Sequence, residues 1–430
     1  MECLSSAFDY FNPLPTQTSL ERAFNRDYTP LAALQHGAPI EFMVPGTDNL
    51  YLDLNKSYLY IKCKITTAAD VALANATTVG PINLTLHSLF SNVDVELCGK
   101  QISDPNGMYS YRAYLETLLS LNDDVKDTQL RSALWIKDTT GQINVGNPAG
   151  ANIGHRDRAA YFGAREVELI GRPHVDLFHQ DKAIPAGCDL KIRLIPNRNA
   201  FILKTADPQN NAAQADYKLV ITEARLVIHT LQVSPSLAMA HIKTLRTTNA
   251  RFPMRRVTLK HLSIPIGQTS ILHNNIYMGP IPERIVVCMV EDRAMTGHYQ
   301  HNPFNFQHFG LNYLALSING ELHPQRPYQP NFANNHYARE YLSLFEGTGT
   351  LFTDKSVGIT REDYSQGYAL YVFDLTPDQA CSGCVSTKEN GPVTLELKFA
   401  APTTQTINVV CYAEFDSLLE IDQFKNVIVK

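Results

Sequence analysis

Two stretches of this chain, about 200 residues apart, carry the same strict alternation of apolar and polar side chains. Leu190, Ile192 and Leu194 alternate with Asp189, Lys191 and Arg193, and Val393, Leu395, Leu397 and Phe399 alternate with Thr394, Glu396 and Lys398. A period of two puts one set of side chains on a buried face and the other in water, which a helix cannot do. Near the N-terminal end, Leu59, Ile61, Cys63 and Ile65 alternate with Tyr60, Lys62 and Lys64, and strand signals continue from about residue 38 to the end. The chain reads as all-β, built of half-buried antiparallel strands.

The alternation belongs to a longer internal repeat with three landmarks in one order. Residues 91–102 (SNVDVELCGKQI) align without a gap on residues 312–323 (NYLALSINGELH), matching Val93, Val95 and Leu97 to Leu314, Leu316 and Ile318, and Gly99 to Gly320. Each predicts a strand running into a glycine turn. Next, Arg112-Ala-Tyr-Leu115 and Arg339-Glu-Tyr-Leu342 open stretches with helical apolar spacing, so one short helix is expected at the same place in each half. Third, Val175-Asp-Leu177 and Phe373-Asp-Leu375 precede the alternating strands, and each half closes on a long apolar strand pair, residues 217–233 and 406–421.

A break near Ser234-Pro235 follows, because proline ends the strand before it. The expected organisation is an arm at 1–35, a first β-sandwich at 36–235 and a second at 236–430. The arm contains FNPLPTQTSLERAFNRDYTPL and shows little periodicity. Residues 122–163, rich in Gly, Asn and Asp, have no counterpart in the second half and read as an exposed or contact-forming loop.

Size and composition agree with two cores. A chain of 430 residues exceeds one ordinary core, and 44% hydrophobic against 18% charged residues fills two, while 24 Pro and 23 Gly supply turns. The net charge of -5 and a pI near 6.3 exclude the dense Lys/Arg face of a protein that coats nucleic acid, so no sequence-specific nucleic-acid binding is expected. No run of 18 apolar residues and no basic, apolar leader occur at the start, which predicts a soluble intracellular product. Eight cysteines are spread over the chain, most within apolar runs where a thiol packs as a small hydrophobe.

Catalytic and metal motifs are sparse. Cys381-Ser-Gly-Cys384 could cycle as a dithiol or supply half a zinc site, but no second pair exists and it lies in a loop-like stretch. His298, His301 and His308 surround Asn302-Pro-Phe-Asn-Phe306 without the H-E-x-x-H spacing that puts two ligands on one helix face. No phosphate-binding glycine loop and no G-x-S-x-G elbow are present. Asp123-Asp124 reads as a solvated helix end, and the mixed-charge run His155-Arg-Asp-Arg158, which could bind an anion or a neighbouring subunit, reads by default as a solvated loop. Neither a catalytic residue, a metal nor a cofactor is expected.

Two segments go further. The first is Phe11-Asn-Pro-Leu-Pro-Thr-Gln-Thr18, followed by Pro39-Ile-Glu-Phe42, Pro45-Gly46 and Tyr51-Leu-Asp-Leu54. The second is Asn302-Pro-Phe-Asn-Phe306, followed by Leu311-Asn-Tyr-Leu-Ala-Leu316, Asn319-Gly320 and Tyr341-Leu342. As whole strings they resemble the double jelly-roll major capsid proteins of Polinton (Maverick) elements and the related adintoviruses. The resemblance covers nearly the full length and is patchy across residues 122–163 and the Cys381 loop.

It implies two eight-stranded jelly rolls side by side and a hexon-like homotrimer with a pseudo-hexagonal outline. It further implies an icosahedral virion of a double-stranded DNA virus, whose partners are neighbouring capsomers, a single jelly-roll vertex (penton) protein and minor capsid proteins. Phe11, Pro13 and Leu14 of the arm are expected to contact an adjacent subunit or a minor shell protein. Two other readings stay open: a two-domain, lectin-like binding protein, and a jelly-roll enzyme resting only on Cys381, Cys384 and the histidine cluster.

Overall fold

The computed structural model describes residues 16–47, 49–73, 78–206, 217–377 and 389–430. Among the described residues, the main sheets of the first half take eight strands: β1 (Leu20–Tyr28), β2 (Ile40–Val44), β3 (Leu50–Thr67), β4 (Phe90–Leu97), β5 (Lys100–Gln101), β6 (Val167–Gly171), β7 (Leu190–Pro196) and β8 (Tyr217–Val233). The main sheets of the second half are built on eight more: β9 (Ala250–Ile264), β10 (Ser270–Tyr277), β11 (Arg284–Glu291), β12 (Leu311–Ile318), β13 (Glu321–Tyr328), β14 (Leu370–Asp374), β15 (Val393–Phe399) and β16 (Ile407–Ile421). Short strands Val79–Pro81 and Leu203–Thr205 pair with each other, and Val427–Val429 pairs with β16. Helices α1 (Tyr109–Ser120), α2 (Asp123–Asp127), α3 (Ile153–Phe162), α4 (Pro235–Leu245), α5 (Ala338–Thr348) and α6 (Arg361–Ser365) lie between them.

The strands pair in the orders β1-β8-β3-β6 and β2-β7-β4-β5, then β9-β16-β11-β14 and β10-β15-β12-β13. All these pairings are antiparallel. Adding eight to each strand number of the first half gives the second. Two facing four-stranded sheets in this order make a jelly roll, so the chain is an all-β double jelly roll.

The repeat has a local physical basis. Both β4 and β12 turn back through two residues of positive φ, Cys98 (49°) with Gly99 (77°) and Asn319 (52°) with Gly320 (89°). That pair of values is the type I′ hairpin, whose twist matches the flanking strands. Helices α1 and α5 then follow in equivalent places and carry Arg112 and Arg339. Along β15, Val393, Leu395, Leu397 and Phe399 are all buried, as the alternation requires.

Several expectations need correction. Residues 20–28, assigned from sequence to the arm, form β1, an edge strand paired along its length with β8. Its side chains are mostly exposed on both faces, so no buried set exists to impose a period. Residues 217–233 and 407–421 each form one uninterrupted strand, β8 or β16, and not a pair, and in the second half the short strand Val427–Val429 then folds back on β16. The Val175-Asp-Leu177 landmark lies beyond β6, with Asp176–Phe178 as a 3-10 turn, whereas Phe373 and Asp374 end β14. Helices are also more numerous than one per half.

The core is asymmetric. Ile285, Val287 and Met289 of β11 face the interior of the second roll with Leu395 and Leu397. The other face of the same strand, Val286, Cys288 and Val290, joins a core shared with Tyr111 and Tyr114 of α1 in the first roll. Sheet β9-β16-β11-β14 is therefore covered on both sides, and β11 reads as an unbroken apolar run, IVVCMV, flanked by Arg284 and Glu291.

Candidate functional site: the seam between the rolls

The segment at 302–306, singled out in the sequence, works as a plug between the rolls. Phe304 and Phe306 are fully buried. Phe304 stacks on Tyr114 of α1, with ring centroids 4.0 Å apart and planes 9° from parallel, and meets Tyr111 and Phe201 edge-on at 5.7 and 6.1 Å. Beside it, the Asn302 backbone N–H donates to Asn144 Oδ1 at 2.9 Å, and its Nδ2 donates to Asp138 Oδ2 at 3.3 Å. Proline and two phenylalanines interleaved with two asparagines thus give an apolar wedge with polar anchors. Its partners come from residues 122–163, α1 and Phe201.

Residues 122–163 are contact-forming within the chain. Trp135, Asp138, His155 and Arg158 are almost wholly buried, so the reading of 155–158 as a solvated loop is wrong. Residues 155–158 lie on α3, where a spacing of three puts His155 and Arg158 on the inner face and leaves Arg156 and Asp157 toward water. Arg158 donates to Asp138 Oδ1 at 2.6 Å, to the Pro81 carbonyl at 3.1 Å and to the Ile136 carbonyl. Asn152 Nδ2 completes the carboxylate at 2.9 Å.

Lysines carry the seam outward to the second roll. Lys126 Nζ donates to the carbonyls of Leu118 (2.8 Å) and Val357 (2.7 Å), and Lys137 Nζ to the Gly358 carbonyl (2.6 Å) and Asp363 Oδ2 (2.5 Å). Asp363 closes the capping box of α6 with Thr360, which fixes the height at which the insertion meets that helix. At the other edge, Asp176 Oδ1 accepts from the Val257 backbone N–H of β9 at 3.2 Å, and Asn106 Nδ2 donates to the Leu259 carbonyl at 3.2 Å. The first roll thereby occupies part of the open edge of a second-roll sheet, the kind of edge that otherwise recruits foreign strands.

Burial tunes the charges at the seam. Burial alone would raise the Asp138 carboxyl, but the Arg158 guanidinium holds it below the usual carboxylate range. Burial pushes Lys204 down to about 7 against the opposing pull of Asp138, while its Nζ donates to the Ile143 carbonyl at 2.6 Å. A lysine depressed on folding stabilises fully only above its unfolded value near 10.4 and loses that contribution as pH falls toward 7. Wild-type stability should therefore rise relative to K204M by up to about 1.4 kcal/mol per pH unit between roughly pH 7 and 10. Chemical denaturation across that range measures the difference, and parallel profiles would refute a buried, titrating Lys204.

The remaining sequence candidates separate. His301 Nδ1 lies 2.8 Å from Glu291 Oε2, and His298 meets His301 edge-on at 4.9 Å. His308 stacks on Phe332 at 4.0 Å. The three are not gathered into one ligand set. Asp123 and Asp124 occupy the first turn of α2 behind an Asn122 cap, where acid complements the helix dipole, as read from the sequence. Phe11, Pro13, Leu14, Cys381 and Cys384 lie outside the described residues. Cys63, Cys98, Cys188, Cys288 and Cys411 are free thiols. Among the described residues, no helix is long and apolar enough to cross a membrane.

No protein-family model matches the chain. An uncharacterized protein of Caenorhabditis elegans is 24% identical over 411 residues, covering 92% of this chain and 94% of that protein. Among solved structures, a chain of the Sputnik virophage covers 100% of this chain and 92% of its own, with a TM-score of 0.65 at 9% identity. The Faustovirus major capsid protein matches over 96% of this chain and 92% of its own, with a TM-score of 0.59 at 10% identity. The mavirus major capsid protein matches over 100% and 95%, with a TM-score of 0.55 at 12% identity. At such identities the shared property is the fold, and it extends through both rolls.

Proposed function

We propose that this chain is a major capsid protein, a shell-forming building block without enzymatic activity. The observation that carries the reading is the end-to-end match of both rolls to viral major capsid proteins. The lectin-like alternative draws no support from these neighbours. In detail we propose a homotrimer whose six rolls form a pseudo-hexagonal capsomer, assembling with other capsomers, a penton protein and minor capsid proteins into an icosahedral virion. The source would be a virus or element of the Polinton and adintovirus kind, and the subunit would be made as a soluble intracellular protein.

The physics supports closure by threes. Two similar rolls per chain give six similar units around a three-fold axis, and a closed ring covers sheet edges that a monomer leaves open. Among the described residues, strand β1 is such an edge, paired with β8 on one side. Weak contacts between tiles then suffice, because many act at once. Domain limits follow the strands, with a first roll ending near Pro235 and a second at 236–430, and an arm shortened to the residues before β1.

Light scattering of the purified 48.0 kDa chain should give about 144 kDa, three times the chain mass, at micromolar concentration. A monomer under those conditions would contradict the proposal. Electron microscopy of the same sample should show hexagonal capsomers or shells. Removing residues 1–15, which carry Phe11, Pro13 and Leu14, should leave trimers and impair shells; undiminished shells would refute the arm contact.

A further inference from the structure

Beside the seam, the structure brings together three side chains that neither the repeat nor the capsid reading uses. Glu116 sits on α1, His174 precedes the 3-10 turn Asp176–Phe178, and His179 follows it. One ligand atom from each lies within 4.8 Å of the other two. We infer that Glu116, His174 and His179 form a binding site for one divalent transition-metal ion, with zinc(II) as the fitting probe.

The donor set suits that class, since two imidazoles and a carboxylate with one open position bind zinc tetrahedrally at about 2.0–2.2 Å. Orientation of the donors agrees. His179 Nδ1 is engaged by the Val175 carbonyl at 3.1 Å, which fixes the tautomer and leaves Nε2 to coordinate. His174 Nε2 lies 3.4 Å from Thr117 Oγ1 while its Nδ1 faces Glu116 Oε2 at 2.6 Å. A metal between those two atoms would replace the proton they share, and the contact would lengthen to roughly 3.4 Å, the ligand spacing of a tetrahedral ion. His174 is buried and Glu116 half-buried, whereas His179 is exposed and offers both an entry path and a solvent position.

Charge also permits a cation. Arg112 lies close, but its guanidinium is held by Glu116 Oε1 at 2.7 Å and Asp176 Oδ1 at 2.5 Å. Arg172, the other nearby cation, bonds Asn55, which in turn donates to Asp181. Three carboxylates against two guanidiniums leave one negative charge. His87 lies perpendicular to His174 at 4.6 Å.

Occupation would tie α1 to the turn that carries Asp176, the acceptor for β9 across the seam. The ion would act as a structural clamp within the first roll, behind the Asp176 contact to β9. Full-length protein stripped with chelator, exposed to zinc(II) and gel-filtered should retain one zinc per chain by elemental analysis and melt several degrees higher. X-ray absorption should show nitrogen and oxygen ligands only. H179A, altered at an exposed position, should melt like metal-free wild type yet lose affinity by more than the roughly 10–100-fold that loss of an outer-sphere partner costs. H301A, a second histidine paired with a glutamate, should retain zinc. H179C should regain it with one sulfur near about 2.3 Å. Equal retention by H179A and wild type, sulfur ligation in wild type, or no retention at micromolar free zinc would each overturn the site.

Discussion

Phe304→Ala is expected to lower the unfolding free energy by about 3–5 kcal/mol, the range for deleting a fully buried ring whose surroundings relax only partly. Its site resists collapse. Tyr114, Tyr111 and Phe201 line the cavity from rigid elements of the first roll, while Asn302 anchors the segment to Asp138 and Asn144. The loss should appear in urea unfolding as an earlier transition of the whole molecule, because the shared core joins both rolls. Phe352→Ala, at a ring that is 95% exposed, should stay within about 0.5 kcal/mol of wild type. A Phe304 variant as stable as the Phe352 variant would show that the plug does not hold the rolls together.

Asp138→Ala should be comparably severe. It strands Arg158 and Lys204 in the interior without their counter-charge, and breaking a buried pair on one side costs about 3–5 kcal/mol. Replacing both partners with apolar side chains, as in D138L with R158M, should recover much of that loss, because desolvation of the pair is removed with it. The sign of the acid dependence follows from the depressed Asp138 carboxyl. Its contribution is present above the unfolded value near 3.9 and is lost as pH falls through the lower folded value. Acid unfolding of the double variant should accordingly lack that component. A double variant no more stable than D138A in urea would place the cost in packing and not in charge.

The strands were legible because they obey local rules. Alternation in β7 and β15 and the glycines of two I′ hairpins are visible within a dozen residues. The seam was not, because it joins residues hundreds of positions apart whose local sequence looks solvated. Arg112 and Arg339 illustrate the limit. They align in the repeat, yet Arg112 is buried between Glu116 and Asp176, whereas Arg339 lies exposed over the Tyr328 ring. Sequence likewise hid β1, whose exposure on both faces removes the periodic signal, and the Glu116, His174 and His179 group, drawn from two separate segments. The segment at 302–306 was visible as a string, and only packing explains its composition.

The sheet covered on both faces has a consequence for synthesis. Tyr111 and Tyr114 leave the ribosome early, but β16, whose Val410 and Tyr412 share their core, follows roughly 300 residues later, about 15–60 s at ordinary elongation rates. For that interval the nascent first roll displays an aromatic patch whose cover is incomplete, since even Phe304, which stacks on Tyr114, emerges about 190 residues after it. Whatever cell makes this protein must shield that patch or crowd it with few other nascent chains, and a half-length product would carry the same sticky face permanently. Quality control thus falls on the timing of translation as much as on the finished fold.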